Sequence, residues 1–382
     1  MAARKPTDHD MGNTRLFLRS LLIPLFATSV YVLWIRDSGF FQHISKAINT
    51  GHQIDGEPVR THYTGITKLD DLLTIFVTFY YPLVSKAGQD MFGDWLVGDM
   101  LPTTILFTVA CLAEGYRERQ GNGYRRWWIA LPGLWMLSYQ LFGTSVIMPL
   151  FAFLHLGGSP ASTAKLATPV SSRIAAGLIP AAFIGGFAPM LATILPLGLD
   201  SNVMQKVIAG CQLYPLLIAV ILAMFYYQPG DKSKKGVLTN SYLFLAFIAT
   251  VVRIVTLFRL QQTGEFFKWA KQLWWLDFSE TATPVGATAL FLKYDALITG
   301  IAGIIWVGIL ASDAGVKDVW AMLAICGVVG GPGAAMGAGL FMREGRIAGL
   351  AKAEERRKLR DSDQAGYGTA TPAVPAGDVR AE

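Results

Sequence analysis

The sequence predicts an all-α fold: a polytopic integral membrane helical bundle. Of 382 residues, 52% are hydrophobic and 16% charged, where a soluble domain carries about 25% charged residues. Mean hydropathy is +0.40. Apolar runs close to the roughly 20 residues needed to cross hydrocarbon as a helix recur along the chain. The runs predict eight spans plus one short buried or re-entrant helix, making nine spans if that helix crosses.

Residues 1–15 form a polar flank carrying Arg4 and Lys5, and residues 16–342 the transmembrane domain. The first span is Leu16–Ile35, uncleaved because no small-residue cleavage site follows it. Arg19 near its end is expected to snorkel. A polar loop leads to Ile66–Ser85, where Asp70 and Asp71 precede an apolar run, Leu72–Ser85, too short to cross as a helix. The remaining spans are Trp95–Gly115, Trp127–Phe153, Ile174–Leu197, Val203–Tyr227, Ser241–Phe258, Val285–Leu310 and Val319–Phe341. Cys111, Cys211 and Cys326 all lie in apolar runs and read as packing residues. Residues 343–382 form a charged and then disordered tail, with a helical stub at Ala353–Arg360. The basic residues of this tail, and Arg117, Arg119, Arg125 and Arg126, place the C-terminus and the 117–126 loop in the cytoplasm. The excess of positive charge is a topology signal, so no nucleic-acid partner is implied.

Ionisable groups inside a membrane are costly and mark functional sites by default. Asp295 stands well inside an apolar segment, on a helix face shared with Thr299, Ala302 and Trp306. Arg253 sits deep in Ser241–Phe258 and needs a buried carboxylate, such as Asp295, or backbone carbonyls as its partner. Asp70 shares a face with Thr74, Val77 and Tyr81, a mixed surface suited to lining a site, and Asp71 points about 100° away. Gln140, His155, Glu114 and Glu280 complete the supporting candidates. Each has a structural alternative. Thr67-x-x-Asp70 fits a capping box, Asp295 and Arg253 could be a purely structural ion pair, and Glu114 could pair with neighbouring arginines.

The scattered histidines predict no metal centre, and no glycine-rich phosphate loop occurs. Asp70-Asp71-Leu72-Leu73-Thr74 lacks the last aspartate of metal-binding prenyl-diphosphate enzymes, and Lys68 replaces the first aspartate of a DxDD acid motif. What remains is a set of buried carboxyls among aromatic rings, needing neither metal nor redox cofactor. A carboxyl in apolar surroundings can hold its proton at neutral pH, and ring faces stabilise a developing cation. The pattern suits proton-initiated isomerisation of a lipid-like polyene or epoxide.

Leu69-Asp70-x-Leu72-Leu73 leading into an aromatic run, Trp135–Leu156, and Phe291-Leu292-x-Tyr294-Asp295 resemble the fungal membrane-bound terpene cyclases of meroterpenoid pathways, of the ascofuranone and ascochlorin type. The resemblance covers roughly residues 60–340. It implies an isomerase-type cyclisation of a farnesyl-type chain, usually after terminal epoxidation, in secondary metabolism. It also implies a prenylated lipid-like substrate, contact with membrane lipids and an endoplasmic reticulum location. Asp70 and Asp295 stand at matching positions. If Arg253 pairs with Asp295, Asp70 is the expected donor and Asp295 its electrostatic or basic partner. Two other classes compete: a transporter or exporter of a hydrophobic metabolite, and a non-catalytic membrane scaffold.

Overall fold

The computed structural model describes residues 8–35, 39–53, 56–85, 96–120, 128–129, 131–157, 170, 172–194, 199–226, 237–267, 270–271 and 283–367. Helices make up nearly all of them. Helices α1 (Asp8–Ser20) and α2 (Leu22–Val30), with the π-helical turn Tyr31–Ile35, form the first span. Helix α1 therefore starts inside the expected polar flank. Arg19 does not simply snorkel: its Nε donates to Phe153 O at 3.1 Å, and its guanidinium lies 4.2 Å from the Phe153 ring centroid. Helices α3 (Phe40–Thr50) and α4 (Thr67–Val84) follow, the second containing the short apolar run.

Among the described residues, five helical stretches are long and apolar enough to cross a membrane: Asn13–Trp34, Arg173–Thr193, Val237–Gln262, Pro284–Asp313 and Val319–Ser362. A sixth arises if α10 (Ser201–Cys211) and α11 (Tyr214–Tyr226), bent by 51°, count as one span. Pro215, at the start of α11, has no N–H to continue the preceding helix. The two other expected spans do not meet that measure, for different physical reasons. Helix α5 (Leu101–Gln120) carries Glu114, Arg117, Glu118 and Arg119 in its last two turns, and is buried along most of its length by its neighbours. The run 127–153 breaks at Gly143 into α6 (Pro132–Phe142) and α7 (Thr144–His155).

Helix α8 (Ser172–Pro180) and α9 (Ala188–Ile194) are joined by a π-helical stretch, Ala181–Phe187. Helices α12 (Val237–Gln262), α13 (Pro284–Asp313) and α14 (Val319–Tyr367) close the bundle. Helix α14 runs past residue 342 as far as Tyr367, interrupted only at Gly331 (φ 78°), so the charged stub is the end of a span-forming helix. The tail beyond 367 lies outside the described residues, as do Glu280 and the 121–127 loop.

Gly331 marks where Arg253 goes. Arg253 Nη1 pairs with Asp99 Oδ2 in the π-helical segment Leu96–Met100, not with Asp295. A Cβ on Gly331 would stand 2.9 Å from Asp99 Oδ1 and 3.3 Å from Arg253 Cδ, so the break in α14 makes room for the pair.

Candidate active site

A cavity of about 180 Å³ lies between α4, α6, α7, α10, α11 and α13. Both helix breaks of the bundle middle open onto it: Gly143 and Thr144 on one side, Cys211, Gln212 and Tyr214 on the other. Its walls are largely aromatic. Phe79 and Phe291 meet edge to face with centroids 5.4 Å apart, Phe79 and Tyr80 at 4.5 Å, and all three rings line the space.

Asp295 is the carboxylate on this wall, buried at 3% exposure. Its position follows from the break. Gly143 adopts φ 91°, ψ 146°, and offers no side chain to satisfy the first N–H groups of α7. Asp295 supplies the missing cap from another helix: its Oδ1 accepts the Ser145 N–H at 2.7 Å. It thus stands at the positive end of the α7 dipole. A Cβ at position 143 would meet Asp295 Oδ1 at 3.0 Å, so the glycine is needed for conformation and for space. Neighbouring contacts hold the break open: Ser29 Oγ donates to Ser145 O at 2.9 Å, and Trp34 Nε1 to Phe142 O at 3.1 Å.

The other polar groups cluster at the two breaks. Gln140 Nε2 donates to Gln212 Oε1, bridging α6 to the α10–α11 bend, and both carboxamides line the cavity. Gln212 Nε2 donates to Ile208 O at 3.3 Å. Tyr139 shares a hydrogen bond with Thr108 Oγ1 at 2.8 Å, and its ring centroid lies 6.2 Å from that of Tyr214.

Asp70 is elsewhere. It is buried, but its Oδ1 accepts the Thr64 N–H at 2.7 Å and the Thr64 hydroxyl at 2.8 Å, and its Oδ2 accepts the Gly65 N–H at 3.1 Å. Burial alone would push this carboxyl up; the hydrogen bonds from Thr64 and Gly65 outweigh it and hold it below the usual aspartate value. The face of α4 carrying Asp70, Val77 and Tyr81 packs on α10, with Tyr81 OH donating to Ser201 Oγ at 2.9 Å. The cavity meets the adjacent face instead, through Ile75, Phe76, Phe79 and Tyr80. Asp71 is exposed.

Glu114, His155 and Trp306 come together in a separate buried cluster. Arg343 grips Glu114 with two hydrogen bonds, Nη1 to Oε1 at 2.6 Å and Nη2 to Oε2 at 3.2 Å. Arg117 bridges Glu114, at 3.3 Å, and Glu344, at 2.6 Å. His155 Nε2 lies 3.4 Å from Glu114, while its Nδ1 accepts the Trp306 indole N–H at 3.1 Å. None of these side chains lines the cavity; they tie α5, α7, α13 and α14 together. Among the described residues, no three His, Cys, Asp or Glu side chains are grouped to hold a metal.

Sequence reasoning missed Tyr80, Tyr139, Tyr214, Gln212 and Ser145. Gly143-Thr144-Ser145 within an apolar run was the available signal, since a glycine followed by Thr and Ser ends one helix and starts another.

A family model described as the CtvD domain matches residues 15–347. Terpene cyclase DEP1 of Fusarium langsethiae is 25% identical over 373 residues, covering 86% of this chain and 99% of that protein. Terpene cyclase DEP1 of Alternaria brassicicola is 28% identical over 136 residues, 34% of either chain. Terpene cyclase verU1 of Penicillium polonicum is 24% identical over 264 residues, covering 63% of this chain and 67% of that protein. No solved structure matches. With the family model spanning most of the helical bundle, including both helix breaks and the cavity between them, the chain belongs to the CtvD-domain family.

Proposed function

We propose that this chain is a membrane-bound terpene cyclase that closes rings on a farnesyl-type chain borne by a polar head group. Protonation of a terminal epoxide starts the reaction, and no metal takes part. The carrying observation is the buried Asp295 carboxyl, fixed by Ser145 N–H on the wall of an aromatic cavity. Relatives named terpene cyclase support the cyclase part of this reading.

Asp295 is the donor, in place of Asp70, because the premise that favoured Asp70 was an Arg253–Asp295 pair. Arg253 belongs to Asp99. In the proposed step the Asp295 proton passes to the epoxide oxygen as the C–O bond to the more substituted carbon breaks. The π pair of a neighbouring alkene then forms the new C–C bond. A C–H proton is finally lost, which restores an alkene and replaces the proton spent at the start. Atoms balance, so the product is an isomer of the substrate. The α7 N-terminus stabilises the carboxylate left behind, and the faces of Phe79, Tyr80 and Phe291 stabilise the migrating cation. The Gln140–Gln212 pair is the polar end that receives the head group. The basic C-terminal flank supports a cytoplasmic C-terminus, and the endoplasmic reticulum location proposed with it rests on the family resemblance alone.

The test is protein in lipid vesicles given an epoxyfarnesyl phenol, with and without EDTA. A product of unchanged mass and new retention, formed equally in both, is expected; its loss in EDTA and return with Mg²⁺ would overturn the metal-free step. Unaltered substrate across a panel, together with uptake into the vesicles, would replace the cyclase with a transporter.

A further inference from the structure

We propose that the cavity opens sideways into the bilayer through a doorway framed by Trp34, Phe41 and Ile75, and that the isoprenoid chain of a membrane-dissolved substrate enters there. This rests on the membrane-bound reading above. Nearly all side chains lining the cavity are buried or half-buried. The exposed ones are Trp34 at 40%, Phe41 at 45% and Ile75 at 41%. All are apolar, and they come from three different elements: the π-helical turn after α2, helix α3 and helix α4. The cavity is therefore continuous with an apolar outer surface at this point. Phe142 extends that surface at 47% exposure, its ring centroid 6.0 Å from Trp34.

The doorway's depth suits an amphiphile. Trp34 closes the first membrane-crossing stretch, Asn13–Trp34, at the level where tryptophan is favoured at an interface. Helix α3 then carries Phe41, Ile44 and Ile48 on one side and Gln42, Ser45, Lys46 and Asn49 around the rest, the pattern of a helix lying in the interface plane. A prenylated molecule with a polar head sits at this boundary, with its chain at the level of the opening. The doorway is also joined to the acid. Trp34 Nε1 holds Phe142 O at 3.1 Å, and the next residue, Gly143, is the one whose missing Cβ leaves room for Asp295.

The test reads binding and so does not depend on turnover. A Phe41→Cys variant in vesicles is tagged with a bulky maleimide, and a diazirine-bearing farnesyl ether is photolysed in the membrane. Wild type treated alike corrects for Cys111, Cys211 and Cys326, and Phe247→Cys, 60% exposed on α12, controls for a tag elsewhere on the apolar surface. The tag at 41 should lower labelling of peptides containing Tyr80 and Tyr139 by at least about tenfold relative to the untagged variant. The tag at 247 should leave labelling as it was. Ile75→Cys, tagged the same way, should reproduce the block and serves if Phe41→Cys misfolds. Equal cavity labelling with and without tags at 41 and 75 overturns the doorway. Blocked labelling in a protein that turns over no epoxide retires the cyclase reading and leaves the doorway standing.

Discussion

Asp70 and Asp295 are both carboxylates at 3% exposure, and both accept backbone N–H groups near the start of a helix. They differ in whose N–H groups they satisfy. Asp70 caps its own approach loop at Thr64 and Gly65, and its helix face is sealed against α10. Asp295 reaches from the middle of one helix to cap another across the bundle, at a break that opens onto a cavity. Burial alone does not separate a structural acid from a chemical one. Access from the cavity is the difference on which the proposed role of Asp295 rests.

The sharpest way to break that contrast is to remove each acid in turn. Asp295→Asn keeps the size of the side chain and loses the transferable proton, so kcat should fall by at least about 10²-fold, as losing a general acid does. Binding of the diazirine farnesyl ether should persist. Near-wild-type turnover would move the donor elsewhere on the cavity wall. The buried cluster at the other end of α7 gives an effect of similar size on a different readout. Arg343→Met leaves Glu114 and Glu344 short of a partner, a loss of about 3–5 kcal/mol when one member of a buried pair is removed. It should appear as lower thermal stability in detergent, while the pH profile of whatever activity survives is unmoved.

Gly143→Ala should fall between the two classes. Its φ of 91° is one that side chains rarely adopt, and the added Cβ meets Asp295 Oδ1 at 3.0 Å. Strain of this kind costs about 1–3 kcal/mol, and displacement of the carboxyl should lower kcat more than it raises KM. A variant with normal kcat and reduced stability would show that the break serves folding alone.

Much of the fold was legible in the sequence. The long apolar helices α12, α13 and α14 follow directly from run length, and Asp295 stood out as an acid in the middle of one of them. The two helix breaks were not read, because a window that averages hydropathy passes over Gly143 and Pro215 without registering a change of direction. Arg253 has Asp295 as one possible partner in the sequence, because both are charges set inside apolar runs. Its actual partner, Asp99, lies at the head of an expected span, where an acid attracts no notice. Which face of α4 lines the cavity was not legible for a related reason. The face through Asp70 and the face through Ile75 and Tyr80 are both apolar enough to be buried, and only packing decides which meets α10 and which meets the cavity.

Asp70 supplies the smallest expected effect and the other half of the contrast. If its carboxylate serves only Thr64 and Gly65, Asp70→Asn should change turnover by no more than a few-fold while lowering thermal stability. The pH dependence identifies the cause. The folded-state pKa lies below the ordinary value, so the stability contributed is fully present above the unfolded-state pKa of about 3.9 and is lost as pH falls through the lower folded-state value. Melting curves of wild type and Asp70→Asn should therefore be separated by a constant interval from about pH 7 to pH 5 and converge below about pH 4. An interval that stays constant into acid would mean that the carboxylate's charge contributes nothing and that the variant perturbs packing alone. A large loss of kcat at neutral pH with an unchanged melting curve would return Asp70 to the chemistry, and would require α4 to present that face to the cavity in the substrate-bound protein.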